Sequence, residues 1–338
     1  MTETAPNYRA GTLYALVTTA LLSAQHPFSL PAAQRLSVIN FVFATQVIIL
    51  LSVPILLRTA NARRDFRKLI LSAGNYKYFL VLFLIGLGNH VLYFLALSKA
   101  RPITISAVMN LSPFWAALIA LVIAKKIIPT TYAVFFGCLA VAFGGAMMIA
   151  FSQIGDTPGP GSSFYWLFAV PVPILFALSG TLIAKWFADY DEMACIAVTF
   201  VTASLVLIPV AASASYLRAD LPVLLDSTSD LLLLAVGTVL GSAVGLVIYQ
   251  TSLSVTGNDN GFVSMFFLLG PGLTALLSLA MSPWLPQLKF PVGPIFFVGL
   301  ATVAAAMLVF SWQARRGRPE AARPSDRVAE PLASGTRQ

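Results

Sequence analysis

YFLALS at residues 93–98 returns as YQTSLS at 249–254, setting Tyr93 against Tyr249, Leu97 against Leu253 and Ser98 against Ser254. With two residues of slack, PFWAALIAL at 113–121 then matches PGLTALLSL at 271–279, which pairs Pro113 with Pro271 and Ala117-Leu118 with Ala275-Leu276. FFGCLA at 135–140 finally matches FFVGLA at 296–301. One such match in so apolar a chain carries little weight. Three in the same order at near-constant spacing mark an internal duplication.

Composition says what is duplicated. Of 338 residues, 58% are hydrophobic and 10% charged, against roughly 25% charged in a soluble domain; there is too little charge to coat a water-facing surface. The apolar residues come in runs of about 20, the length that crosses ~30 Å of hydrocarbon. A soluble enzyme is excluded. The runs predict an all-α integral membrane protein of ten transmembrane helices at roughly 11–32, 36–57, 78–98, 103–124, 131–151, 164–185, 194–216, 230–250, 261–283 and 293–313. SQIGDTPGPGSS at 152–163 is the clearest linker, with Pro and Gly that cannot continue a helix. The organisation is then an N-terminus at 1–10, a five-helix unit at 11–151, the linker, a second five-helix unit at 164–313, and a tail at 314–338 whose Arg, Ala, Pro and Ser content predicts disorder.

Basic residues sort by side. With the N-terminus inside, sixteen Lys and Arg fall on the cytoplasmic side, among them Arg58, Arg63, Arg64, Arg67, Lys68, Lys125, Lys126 and the six arginines of the tail. Five fall on the other: Arg35, Lys99, Arg101, Arg218 and Lys289. This predicts N-in, C-in. The formal net charge of +8 is thus a topology signal; the basic residues form no face with interleaved aromatics, so no nucleic-acid partner is expected. Residues 58–77, basic with a Phe-Leu-Ile-Leu content, read either as a short amphipathic helix at the cytoplasmic interface or as an ordinary basic loop. The N-terminus lacks a basic start and cleavage site, so the first span is expected to be retained, and Cys138 and Cys195 lie in different apolar spans and predict no disulfide.

Each unit holds five spans, an odd number, so the second copy enters from the opposite side. The expected result is an inverted repeat about a pseudo-two-fold axis in the membrane plane. Two such halves exchange conformations around a midplane site, a plan suited to a carrier. The competing classes are a non-transporting multi-pass scaffold and a membrane-embedded enzyme; they predict polar residues concentrated in one half, or none. No phosphate-cradling Gly-Lys-Ser loop, HExxH or GxSxG is present, so no enzymatic activity is expected.

The pattern Tyr93-x3-Leu97-Ser98, Ser112-Pro113-Phe114-Trp115-Ala116-Ala117-Leu118 and Phe136-Gly137-x5-Phe143-Gly144-Gly145 resembles the fourth and fifth helices of an EamA-type repeat of the drug/metabolite transporter superfamily. The second half resembles another copy, and the resemblance covers roughly residues 11–313. It implies a metabolite carrier, often an exporter, with a central cavity lined mainly by the first, third, fourth, sixth, eighth and ninth helices. The sequence departs from that family where a Gly-Glu pair often ends the fourth helix: here stand Ala124-Lys125-Lys126, and Ser282-Pro283 in the second half.

All thirteen Asp and Glu residues lie in loops, at span ends or in tails. Intramembrane carboxylates are the usual proton and sodium carriers, so coupling by that route is not expected, nor is a metal site or a cofactor. The two histidines, His26 and His90, lie within the first and third spans. Each is a candidate for proton relay or carboxylate binding, and each also reads as a neutral imidazole satisfied by a neighbouring group. Gln25, Asn89, Asn110, Tyr93, Tyr249 and Gln250 are polar residues that lipid would not tolerate exposed; they are candidates for substrate contact or for bonds between helices. Trp115 is a candidate cavity wall, and Pro27, Pro113 and Pro271 are candidate kinks. Gly237, Gly241 and Gly245, four apart on one face, predict close helix packing. The expected cavity is neutral, aromatic and amide-lined, suited to a neutral or zwitterionic metabolite. The expected partners are that small-molecule substrate and the lipid bilayer of the cell membrane, with a homodimer compatible with the plan.

Overall fold

In lipid a backbone must satisfy its own polar groups, and a helix does so within one segment. In a computed structural model of the chain, each of the ten apolar segments overlaps a helix. The structure describes residues 7–109, 111–112, 115, 118–119, 122, 132–152, 162–217, 228–256, 263, 266–290 and 293–316; among them there is no strand. The helices are α1 (Tyr8–Arg35), α2 (Val38–Leu56), α3 (Ala60–Leu71), α4 (Tyr76–Leu97), α5 (Pro102–Met109), α6 (Tyr132–Phe151), α7 (Pro171–Trp186), α8 (Glu192–Leu217), α9 (Thr228–Val255), α10 (Gly270–Met281) and α11 (Pro294–Arg316). Four stretches, 38–56, 73–97, 192–214 and 228–255, are long and apolar enough to cross a membrane, and shorter apolar helices accompany them. The chain is therefore an α-helical protein of membrane character.

Local chemistry sets the boundaries. Asn7, Ser37 and Thr59 cap α1, α2 and α3 through side-chain oxygens that accept from the N–H groups of Ala10, Asn40 and Ala62. Asp191 does the same for α8, accepting from Met193 N at 2.9 Å and Ala194 N at 3.3 Å. Within the helices Thr19, Thr199 and Thr251 donate to the carbonyl four residues back, which satisfies a hydroxyl where no water is at hand.

Two predicted spans are not single α-helices. Residues 162–169 form a 3₁₀-helix ahead of α7, and 266–269 form another ahead of α10. Pro171 and Pro271 stand in the first turn of the helices that follow, where a missing N–H costs nothing. Pro271 thus sits at a helix start rather than inside one. Pro27 and Pro31 are interior to α1. A π-helical turn at Val239–Gly245 interrupts α9.

The packing across the chain follows a regular scheme. α1 lies on α9 along the glycine face read from the sequence: a Cβ at Gly237 would stand 2.7 Å from Phe28 Cβ, and one at Gly241 2.7 Å from Gln25 Oε1. Gly245 faces Leu22, and Gly11 faces Thr256, so the two helices run antiparallel. α4 and α7 are also antiparallel, with Tyr78 against Trp186 and Gly88 against Leu175. α2 packs on α8, with Ser204 Oγ bonded to Gln46 and Leu56 clustered with Met193 and Ala197. α6 packs on α11, where Gly145 meets Val303 and Gly299 meets Ile149, again antiparallel. α5 packs on α10. One apolar cluster, including Leu30, Leu36, Leu97, Val172, Leu234 and Leu288, fills the end of the bundle that carries Arg35.

Candidate binding site between the halves

The site begins with a proline. In an α-helix the N–H of residue i serves the carbonyl of residue i−4, and Pro27 has none, so the Ser23 carbonyl is left over. The Thr274 hydroxyl of α10 lies 3.2 Å from that oxygen and 2.9 Å from Ser106 Oγ of α5. Ser23, Ser106 and Thr274 are all fully buried. At its proline, α1 is therefore tied by side-chain hydroxyls to a helix of each half. Beside it the Ser23 and Ser278 hydroxyls have no protein partner among the described residues.

One turn further along α1, His26 Nδ1 lies 3.1 Å from the Tyr93 hydroxyl of α4, with ring centroids 5.8 Å apart. His26 is only 5% exposed, so this bond is the group's one satisfied polar contact among the described residues. The Ser29 hydroxyl lies beside the Tyr93 phenol, outside hydrogen-bond geometry. On α4 Asn89, His90 and Tyr93 share one side, being three and four residues apart. His90 Nδ1 donates to the Gly86 carbonyl at 2.8 Å. A carbonyl only accepts, so a neutral His90 carries its proton on Nδ1 and offers Nε2 as an acceptor. Asn89 Oδ1 has no partner among the described residues.

The middle of α4 is less closely enclosed than its ends, although Gly88 faces Leu175 and Leu87 packs against the cluster of Val42, Phe83, Ala203 and Leu207. Phe79, Leu82 and Phe83 are buried before it and Tyr93, Phe94, Ala96 and Leu97 after it, yet every residue from Ile85 to Leu92 is half-exposed. Asn89 and His90 stand in this partly exposed stretch of two helical turns. Gln25 of α1 faces α9 instead, its side chain pressed against Gly241 at the π-helical turn.

Other candidates lie elsewhere. Tyr249 packs on Phe267 with ring centroids 5.6 Å apart and planes tilted by 37°, in a cluster with Ala15 and Leu253. The Gln250 side chain reaches the Glu192 carboxylate at the start of α8. Gln250 is nine residues beyond Gly241, which marks the level of Gln25; at 1.5 Å per residue that is about 13 Å along the axis. Tyr93 and Tyr249, equivalent in the repeat, thus belong to two separate polar sites. Trp115 is half-buried against the apolar cluster of α5, α6, α10 and α11. Asn110 and Pro113 lie outside the described residues.

Sequence reasoning did not single out Ser23, Ser106 and Thr274, nor two polar ties at the ends of the bundle. Arg35 Nη1 lies 3.0 Å from Asp230 Oδ2, joining α1 to α9. Asp65 of α3 accepts from Asp191 N at 3.1 Å and pairs with Arg64 at 3.1 Å and Lys68 at 3.8 Å. That backbone N–H, backed by Arg64 and Lys68 and opposed by burial, holds the Asp65 carboxyl below the usual carboxylate range. Among the described residues no three His, Cys, Asp or Glu side chains converge as a metal site would require.

No protein-family model matches the chain, and the comparison with curated proteins found no match. A solved crystal structure of another protein superposes on 90% of this chain and 98% of its own, with a TM-score of 0.54 and 17% sequence identity. At that identity the likeness concerns the fold alone, end to end.

Proposed function

We propose that the chain is a secondary carrier of a small neutral or zwitterionic metabolite, of the EamA type within the drug/metabolite transporter superfamily. It has ten spans as two inverted five-helix repeats, N-in and C-in, and works as an exporter in the cell membrane without covalent chemistry. The observation that carries this reading is the pairing scheme between the halves. Exchanging the halves (α1 for α7, α2 for α8, α4 for α9, α5 for α10, α6 for α11) turns the α1–α9 contact into the α4–α7 contact and leaves the other three pairs unchanged. Equivalent helices that lie antiparallel, as α2–α8 and α6–α11 do, fit a two-fold axis across the helices; a non-inverted duplication would set them parallel.

The polar groups fit the same reading. His26, Asn89, His90 and Tyr93 belong to the first half, and Thr274, Ser278 and the Gly241 turn to the second; α1 links them, through Ser23 to Thr274, Gln25 to Gly241 and His26 to Tyr93. These groups are neutral donors and acceptors, and unpaired ones such as Asn89 Oδ1 and Ser23 Oγ are matched by a solute with hydrogen-bonding groups of its own. The apolar cluster and the Arg35–Asp230 pair close one end, as one state of an alternating-access cycle requires.

The test is a thermal-shift screen of purified protein against a metabolite panel, followed by flux in proteoliposomes with and without a pH gradient. Saturable flux of a neutral or zwitterionic compound is expected. Loss of pH dependence in His26→Ala or His90→Ala identifies the coupling group, whereas unchanged dependence in both removes histidine coupling. A protein that binds and moves none of the panel is the scaffold of the competing class.

A further inference from the structure

We propose that α3 is a docking helix for anionic phospholipid headgroups, fastened so that occupancy is felt at the N-terminus of α8. The inference rests on the membrane character of the bundle and not on transport.

α3 is amphipathic, but its apolar side does not lie in lipid. Ala62 and Leu69 are fully buried, and Phe66 and Ile70 half-buried; Leu69 packs with Phe187, Ala194, Cys195 and Val198 of the neighbouring segment and α8. The apolar stripe is spent on protein. What α3 turns outward is its other face, with Arg63, Arg64, Arg67 and Lys68 exposed around Leu71, which is 83% exposed. The helix lies between the ends of α2 and α4, two of the stretches apolar enough to span, so this face stands at headgroup level. Tyr76, 54% exposed and bonded through its hydroxyl to the Ile70 carbonyl, lies next to it, as aromatic residues do at a membrane boundary.

The cations on this face differ in how they are engaged. Arg63 reaches the Leu57 and Arg58 carbonyls at the end of α2, at 3.4 and 3.2 Å. Arg64 and Lys68 turn to Asp65. The guanidinium groups of Arg67 and of the adjacent exposed Arg58 have no protein partner among the described residues. An isolated guanidinium at a bilayer surface is matched by a lipid phosphate, with which it forms paired hydrogen bonds. Asp65, the one acid of α3, is turned inward onto Asp191 N, so it does not repel an anionic surface. Asp191 also caps α8. Two hydrogen-bonded steps therefore join the lipid-facing helix to the start of α8.

The experiment uses full-length protein in nanodiscs of phosphatidylcholine alone and of phosphatidylcholine with 30% phosphatidylglycerol, read by hydrogen exchange at 60–71 and 188–194. Anionic lipid should slow exchange in both segments, and high salt should reverse it. Arg58→Gln/Arg67→Gln removes two charges that no protein group uses. At about fivefold per basic residue, phosphatidylglycerol affinity should fall roughly 25-fold with the fold intact. Stable insertion with identical exchange in both compositions overturns the proposal while leaving the membrane reading untouched. Failure to insert in either composition overturns both. Protection confined to 60–71 keeps the docking site and rejects the link to α8.

Discussion

Gly144 and Gly145 are neighbours on α6 that the packing distinguishes sharply. A Cβ at Gly144 would meet nothing within 4 Å. One at Gly145 would stand 2.7 Å from the Gly299 carbonyl oxygen, 2.9 Å from Val303 Cγ2 and 3.1 Å from Thr302 Cβ. A backbone carbonyl cannot turn aside, so α6 and α11 must part by several tenths of an ångström. Replacing a helical glycine by alanine stabilises by about 0.5–1 kcal/mol through lost backbone freedom, and overpacking costs about 1–3 kcal/mol. Gly144→Ala should therefore be stabilising by up to about 1 kcal/mol, and Gly145→Ala destabilising by up to about 2 kcal/mol. Reversible unfolding in mixed micelles of increasing SDS fraction measures both in one background. Equal stabilities for the two variants would refute the antiparallel α6–α11 contact on which the pairing of the halves depends.

Tyr93→Phe leaves the buried His26 Nδ1 without its partner, and should cost about 1–3 kcal/mol in the same unfolding assay; a variant as stable as the parent would mean the bond is absent. Thr274→Val strips the Ser23 carbonyl of its hydroxyl, whereas Pro27→Ala restores a helical N–H to that carbonyl. The double-mutant cycle should show the Thr274→Val cost reduced by about 1 kcal/mol in the Pro27→Ala background, and strict additivity would break the link between proline and hydroxyl. Asp65 has a lowered native pKa, so its contribution is full above the ordinary carboxylate value of about 4 and is lost as pH falls through the native value. The stability gap between the wild type and Asp65→Asn should accordingly be constant near neutrality and close in acid. A gap that widens on acidification has the wrong sign for this clamp.

The segments were legible because lipid demands unbroken apolar runs, and nothing in the loops imitates one. The 3₁₀ entries at 162–169 and 266–269 were not, since a hydropathy run has no pitch; the signal lay in Pro171, Pro173 and Gly270-Pro271-Gly272. His26 and Tyr93 were each legible as buried polar residues, but their pairing spans 67 positions and depends on how α1 meets α4. Thr274 illustrates the harder limit. A threonine in an apolar helix ordinarily bonds its own i−4 carbonyl, as Thr19 and Thr251 do. Thr274 instead reaches across to Ser106 Oγ and to the carbonyl orphaned by Pro27, and reading that needs distant facts at once. The basic periodicity of α3 was readable as amphipathic, whereas the burial of its apolar face against protein was not.

The carrier account stands or falls on whether the end closed by Arg35 and Asp230 must open. With Cys138 and Cys195 replaced by Ala, Arg35→Cys/Asp230→Cys can be bridged by a short thiol-reactive crosslinker after reconstitution, and flux of the metabolite found by the panel measured before and after. An alternating-access carrier predicts that bridging arrests flux and that cleaving the bridge restores it, while the singly substituted proteins are unaffected by the reagent. Undiminished flux through the bridged protein would contradict it.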